Sequence, residues 1–155
     1  KKLAAKEAVD LAVVLDRSWD HLALVALAKE VRLECEVKGE LMVQGDPWLL
    51  ELAVGNLLQN AIDFAPKGSA ITARLYRFDT KVVCEIDDEG PGLPEYARER
   101  VFERFYSLPR PDSGKKSTGL GLCFVKEVAL LHGGSAELAN REGAAGARAM
   151  LILPA

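Results

Sequence analysis

The chain has 155 residues, 49% of them hydrophobic, and its 20 Lys and Arg against 23 Asp and Glu leave a net charge of −3. That length and apolar share are enough for one core and predict a single soluble domain, while the weak acidity gives no basis for a nucleic-acid surface. The longest strongly apolar run, "LALVALA" from Leu22 to Ala28, is far short of the roughly 20 residues of a membrane span, and no signal-peptide pattern starts at Lys1.

Lys1, Lys2 and Lys6 read as the end of something longer, so the chain is expected to start in mid-protein. From Glu7 to Lys29 apolar residues recur at helical spacing and predict one helix. "VRLECEV" alternates Val31, Leu33, Cys35 and Val37 against charged partners, the period-2 signature of a half-buried strand, and "LMVQGD" is a short second one. Asp46 as N-cap before Pro47 starts a helix that should run to about Phe64, ahead of Pro66, and that is apolar nearly all round. "AITARLYRF" and "KVVCEIDD" are two strands joined at Asp79 and Thr80. Gly90, Pro91, Gly92 and Pro94 then break the pattern into a loop with a short helix from Glu95 to Val101.

"SLPRPDSGKKS" is rich in proline, serine, glycine and basic residues; it is the segment expected to be least ordered, a natural lid. A helix from about Gly119 to Leu131 follows, and "SAELAN" and "ARAMLIL" close the chain as a pair of strands turned between Glu142 and Gly146. Hairpins mixed with helices, without strict βαβ alternation, predict an α+β fold. The expected form is a two-layer α/β sandwich, with a mixed, mostly antiparallel sheet packed on three helices. Cys35, Cys84 and Cys123 show no CxxC or Cys/His spacing, which speaks against a disulfide framework or a zinc site and for reduced thiols.

Three features carry chemistry. Asn56, Asn60 and Asp63 stack on one face of the helix that starts at Pro47, opposite Leu50, Val54, Leu57, Leu58 and Ala61. Such amides either bond neighbouring backbone or offer oxygen to a hard cation such as Mg²⁺. In "VVCEIDDEG" alternation turns Val82, Cys84, Ile86 and Asp88 inward and Val83, Glu85 and Asp87 outward. Asp88 then either caps the turn at Gly90 or accepts a hydrogen bond from a ligand's amino group, with Gly90 and Gly92 admitting the ligand close to the backbone. Gly119 and Gly121 open a helix, where free N–H groups and the helix dipole favour an anion, although a GxG pair is also common in ordinary turns.

In this order and spacing the segments resemble the ATP-binding catalytic domain of sensor histidine kinases, the Bergerat-type (GHKL) nucleotide fold. "NLLQNAIDFAP" is similar to the N box, "DEGPGLP" to the G1 box, "VFERFYSLPRP" to the F box and "STGLGLCFVKEV" to the G2 box; "GDPWLLELAVGNLLQNA" and "AMLILP" fit the same frame. Within the family the segments look most similar to the CreC-type, carbon-source-responsive sensor kinases. The resemblance implies residues 9–155 as the catalytic domain and residues 1–8 as the end of a preceding dimerisation helix or linker.

It also implies site roles. Asn60 would be the Mg²⁺ ligand, with Asn56 helping to hold metal and phosphates, and Arg104 would contact the γ-phosphate. Asp88 would bind the adenine amino group beside Gly90 and Gly92, while Phe64, Ile62 and Leu93 would wall the base. Gly119, Leu120, Gly121 and Leu122 would bring backbone to the phosphates, and the stretch from Ser107 to Thr118, with Lys115, Lys116, Ser117 and Thr118, would form the ATP lid. The implied cofactors are ATP and Mg²⁺, and the implied reaction is γ-phosphoryl transfer to a histidine on a dimerisation domain of the same kinase, with a response regulator receiver domain downstream. The full-length protein would be a membrane-anchored homodimer whose cytosolic part includes this domain, itself a monomer.

Two departures stand out. Many relatives carry Lys or Arg where this chain has Asp63, and a carboxylate there repels a phosphate charge at 4 Å by about 1 kcal/mol in water and about 4 kcal/mol at an effective dielectric of 20. Asp63 should therefore point away, be offset by Mg²⁺, or have its role taken by Lys67, Lys115 or Lys116. Ser117 stands where many relatives have another glycine. Neither His21 nor His132 is followed by the acidic residue of the family's phospho-acceptor pattern, so both are expected to be structural. The rivals are a gyrase- or chaperone-type ATPase, which needs a glutamate one turn before the metal-binding asparagine where this chain has Asn56, an anti-sigma serine kinase, and a signalling module that has lost ATP binding.

Overall fold

The computed structural model describes Leu3, residues 6–116 and residues 119–155. A five-stranded mixed sheet runs in the order β2 (Arg32–Val37), β4 (Ala70–Phe78), β5 (Lys81–Asp87), β7 (Ala147–Pro154), β6 (Ser135–Asn140), with β2 parallel to β4 and every other neighbour antiparallel. One face of this sheet carries α3 (Pro47–Phe64) and α4 (Gly121–Leu131), and α1 (Leu11–His21) packs on α3. This is the α+β sandwich anticipated from the hairpin pattern.

The helix expected over Glu7–Lys29 is instead three elements. Glu7–Asp10 is a strand, β1, antiparallel to β3 (Met42–Gly45), and the helical part divides at Leu22 into α1 and α2 (Ala23–Lys29). The signal lies in Asp10: its carboxylate accepts from the Ala12 backbone N–H at 2.9 Å, an N-cap that starts the helix there, while Leu11 N–H donates back to the Leu41 carbonyl at 3.0 Å. The boundary expected between residues 8 and 9 falls inside β1. The region from Glu95 forms a 3₁₀ turn over Glu95–Ala97 rather than a helix reaching Val101.

β2 is an edge strand, and it is more exposed than its alternation suggests: Cys35 and Val37 lie open and Leu33 is half-buried. Cys84 on the central β5 is fully buried, and burial pushes its thiol up to about 12. All three cysteines are free.

α3 follows its sequence signal. Asp46 caps it by accepting from Trp48 and Leu49 N–H at 3.0 and 3.1 Å, Pro47 occupies the first turn, and Leu50, Ala53, Val54, Leu57, Leu58, Ala61 and Ile62 are buried. On β5 the outward face is a correction: Glu85 and Asp87 are buried too, at 8% and 2% exposure. Antiparallel register sets Arg74 opposite Glu85 and Arg148 opposite Asp87. Arg148 then grips Asp87 with two bonds of 2.8 and 3.0 Å, and Arg74 adds a third at 2.8 Å. Burial alone would raise the Asp87 carboxyl, but these guanidinium bonds outweigh it and hold it below the usual carboxylate value.

Candidate functional site: a cavity between two helices and a loop

The polar stripe of α3 faces a cavity. Asn56, Gln59, Asn60, Asp63 and Phe64 form one wall, and Asp88, Gly92 and Leu93 of the loop after β5 a second. Val101, Tyr106, Ser107, Leu108 and Arg110 close it from the long connection, Gly119, Gly121 and Leu122 from the start of α4, and Leu138 and Ala147 from the sheet.

One end is built around Asp88, 3% exposed at the end of β5. Its Oδ1 accepts from the backbone N–H of Gly90 at 2.9 Å and of Ala147 at 3.2 Å, and among the described residues nothing bonds Oδ2. One oxygen thus caps the Gly90 turn, and the side chain also lines the cavity. Burial raises its pKa, against the pull of those two N–H groups and of Arg141. Gly90 has no alternative here, because a Cβ would strike the Phe64 carbonyl. Asn140 fixes the same loop, accepting from Leu93 N–H at 2.6 Å and donating to the Leu93 carbonyl at 3.0 Å.

The other end is the start of α4. Gly121 packs on Asn56, whose Oδ1 lies 3.1 Å from where a Cβ on Gly121 would stand. Asn56 donates its Nδ2 to the Leu52 carbonyl at 3.0 Å, which turns the oxygen toward Gly121. Among the described residues no side chain caps α4 at Leu120, so the first-turn N–H groups keep their bonding capacity there. Gly119, at φ +75°, takes the Phe105 N–H on its carbonyl at 3.0 Å, and a Cβ there would strike the Phe105 backbone. Asn60 sits between the two ends and makes no hydrogen bond among the described residues, although it lines the cavity. Asn56 and Phe64, which mark the two ends, are eight residues apart, about 12 Å along the helix.

The structure therefore brings together Asn56, Asn60, Phe64, Asp88, Gly92, Leu93, Gly119, Gly121 and Leu122. Several other expected residues lie off the cavity. Gly90 supports it from behind Phe64, Ile62 is buried in the core, and Leu120 is 41% exposed. Arg104 is exposed and paired to Glu127 at 3.5 Å. Lys115 lines a neighbouring groove and Lys116 is exposed. Ser117 and Thr118 lie outside the described residues.

Asp63 does not point away. It lines the cavity, accepts from Gln59 Nε2 at 2.9 Å, and is met by Arg110 Nη2 at 3.2 Å. Burial raises its pKa, with Gln59, Arg110 and Lys29 pulling the other way. Lys67, one of the lysines expected to take over the role of that position, pairs with Glu30. Gln59 was readable, since it stands four residues before Asp63 on the same face. Arg110 was not, because it reaches Asp63 from a separate segment 47 residues on. Among the described residues no group of His, Cys, Asp and Glu is arranged to hold a metal; the oxygen donors facing the cavity from α3 are amides and Asp63.

Residues 45–155 match the family model of histidine kinase-, DNA gyrase B- and HSP90-like ATPases. The chain is similar to the sensor protein CreC of Escherichia coli, 44% identical over 133 residues that cover 86% of this chain and 28% of that protein. Its fold superposes on a mycobacterial sensor histidine kinase MprB with a TM-score of 0.83 at 35% identity, covering 97% of each chain. It also superposes on the ATP-binding domain of PrrB from Mycobacterium tuberculosis, with a TM-score of 0.74 at 31% identity over 96% of each. The chain thus spans between a quarter and a third of the curated relative's length and nearly all of the two solved chains.

Proposed function

The chain belongs to the histidine kinase-, DNA gyrase B- and HSP90-like ATPase family and is homologous to the ATP-binding catalytic domains of sensor histidine kinases; from that premise we propose that its cavity binds Mg-ATP and positions the γ-phosphoryl group for transfer to a histidine. That histidine would stand on a dimerisation domain of the same kinase, and a response regulator receiver domain would take the phosphoryl group onward. The whole protein would be a membrane-anchored homodimer with this domain on the cytosolic side; among the described residues no helix is long and apolar enough to cross a membrane. Residues 9–155 would be the catalytic domain and residues 1–8 the end of the preceding linker.

The observation that carries this reading is one cavity with a buried carboxylate, Asp88, at one end and, at the other, a glycine start of α4 that no described side chain caps, joined by the amide stripe of α3. Asp88 Oδ2 would accept from the adenine amino group, and Phe64 and Leu93 would cover the base. The N–H groups of Gly119, Gly121 and Leu122 would take phosphate oxygens, favoured by the α4 dipole. Asn60 fits a hard cation, since its amide lines the cavity without a partner among the described residues and its oxygen suits Mg²⁺; Asn56, with its nitrogen already spent on Leu52, presents its oxygen toward Gly121. Bound Mg²⁺ would neutralise phosphate charge and so ease transfer. The domain's own contribution is placement and exclusion of water, with no covalent chemistry of its own. Arg104, which ion-pairs with Glu127 in the middle of α4, would need to change partner to reach the γ-phosphate. Lys115, Lys116, Ser117 and Thr118 would belong to the lid.

A hydrolytic ATPase reading is less well supported, because the turn before Asn60 carries Asn56 and an amide cannot accept the proton of an attacking water. The test is calorimetric titration with ATP, with and without Mg²⁺, repeated on Asn60→Ala and Asp88→Ala. Affinity should fall in both variants; unchanged binding in both would overturn the site assignment.

A further inference from the structure

The pair Asp63–Arg110 is the part of the cavity that the family resemblance does not explain, and three observations meet there. Asp63 places a carboxylate on the wall one turn beyond Asn60, where a polyphosphate would be repelled. Arg110 meets it at 3.2 Å through Nη2, and its Nε is buried with no hydrogen-bond partner among the described residues. A guanidinium offers its donors as a fork suited to two oxygens at once, so this one has bonding capacity left over in a place water does not reach.

The backbone around Arg110 is held independently of its side chain. Arg110 N–H donates to the Lys115 carbonyl at 2.9 Å, Gly114 N–H donates to the Arg110 carbonyl at 2.7 Å, and Asp112 two residues on is tied to Lys29 at 3.2 Å. Lys29 in turn donates to the carbonyls of Ile62 and Asp63, at 2.8 and 3.0 Å, at the C-terminal end of α3. The side chain can therefore change partner while the loop stays docked. Asp63 and Asn60 are neighbours at i and i+3, roughly 5–6 Å apart at Cβ, so a move of one helical turn carries the guanidinium from the carboxylate to the amide's side of the cavity.

We propose that Arg110 is a polyphosphate ligand of this pocket, held on Asp63 without nucleotide and drawn onto the phosphates when ATP enters. This rests on the reading of the cavity as an ATP site and names a cation for it. The helix position that is Lys or Arg in many relatives is Asp63 here, and the positive charge comes from the opposite wall. Several phosphate charges outcompete one carboxylate for the fork, and Asp63 lowers affinity by the strength of its claim on Arg110.

The test is titration of the 155-residue chain with Mg-ATP, Mg-ADP and AMP, in the wild type and in Arg110→Ala, Arg110→Lys and Asp63→Asn. Arg110→Ala should weaken ATP and ADP about tenfold or more, the loss of a charge-assisted bidentate contact, and leave AMP within about twofold, while Arg110→Lys should recover part of the loss. Asp63→Asn should tighten ATP several-fold by about the same principle of released competition. Unchanged ATP affinity in Arg110→Ala, or equal weakening of ATP and AMP, would overturn the proposal, and weaker ATP binding in Asp63→Asn would overturn the competition. A wild-type chain that binds no ATP would instead remove the underlying reading.

Discussion

Asp88 and Ala147 hold each other by reciprocal hydrogen bonds: the Ala147 N–H donates to Asp88 Oδ1 at 3.2 Å, and the Asp88 N–H donates to the Ala147 carbonyl at 3.0 Å. The carboxylate that lines the cavity is thereby locked to the first residue of β7. The two bonds have different sensitivity to substitution, which separates binding from stability. Asp88→Asn keeps an oxygen for Gly90 and Ala147 but loses the charge and half the acceptor capacity, so ATP affinity should fall about tenfold or more with stability changed by less than about 1 kcal/mol. Asp88→Ala strands two buried N–H groups and should cost a further 1–3 kcal/mol or so for each. Calorimetric titration and urea unfolding of the two variants, side by side, read the two effects.

Asn60 gives the opposite combination. It makes no hydrogen bond among the described residues and is only half-buried, so Asn60→Ala removes nothing that folding uses and, alanine being the better helix former, should leave stability the same or higher by a few tenths of a kcal/mol. If its oxygen serves the cation, the variant should lose most of the Mg²⁺ dependence of ATP binding. Titrations at zero and saturating Mg²⁺ check this, and a Mg²⁺ effect equal to that of the wild type would remove Asn60 as the ligand.

Most of the fold was legible because its signals are local. Asp46-Pro47 starts α3, alternation marks β4 and β5, and the Asn56–Asn60–Asp63 stripe reports which side of α3 meets a cavity. The pattern over Glu7–Lys29 is misleading at its start because Val9 suits a helix face as well as a strand, and only the Asp10 cap and the pairing with β3 decide between them. Alternation puts Glu85 and Asp87 on the outward side of β5 but does not say what covers that side; the cover is arginine from β4 and β7, fixed by register. Arg110 was invisible for the same reason, since its partner Asp63 lies on another element.

The arginine cover of Asp87 makes a prediction about acid. Its folded pKa is held below the ordinary carboxylate value of about 3.9, so the ionised form stabilises the native state; that contribution is complete above the unfolded pKa and is lost as pH falls through the folded one. Asp88 and Asp63, whose pKa values are raised, run the other way and gain native stability on protonation. Asp87→Asn isolates the first effect. Its urea midpoint should lie below the wild type at pH 7, and the gap should narrow steadily below about pH 4. A gap that stays constant down to pH 3 or so would show that the guanidinium bonds do not favour the charged carboxylate.

His132 closes α4 as a structural residue, and its surroundings say why it cannot serve as a phosphoryl acceptor. The ring is 6% exposed, its Nε2 accepts the Asp46 backbone N–H at 3.1 Å, and its Nδ1, which must then carry the proton, faces the Val128 carbonyl at 2.7 Å. Both nitrogens are committed, and Gly45 packs so close that a Cβ there would stand 2.5 Å from the ring. The bond to Asp46 also fixes the residue that caps α3, which links the end of one helix to the start of the one that carries the amide stripe. His132→Ala strands the Asp46 N–H and leaves a void, and should cost about 2–4 kcal/mol in urea unfolding. Because Asn56 lies beyond the second turn of α3 and Asp88 on another element, the folded fraction should bind ATP with wild-type affinity. A large loss of affinity at full foldedness would show that the cap, and not the cavity wall alone, sets the position of the stripe.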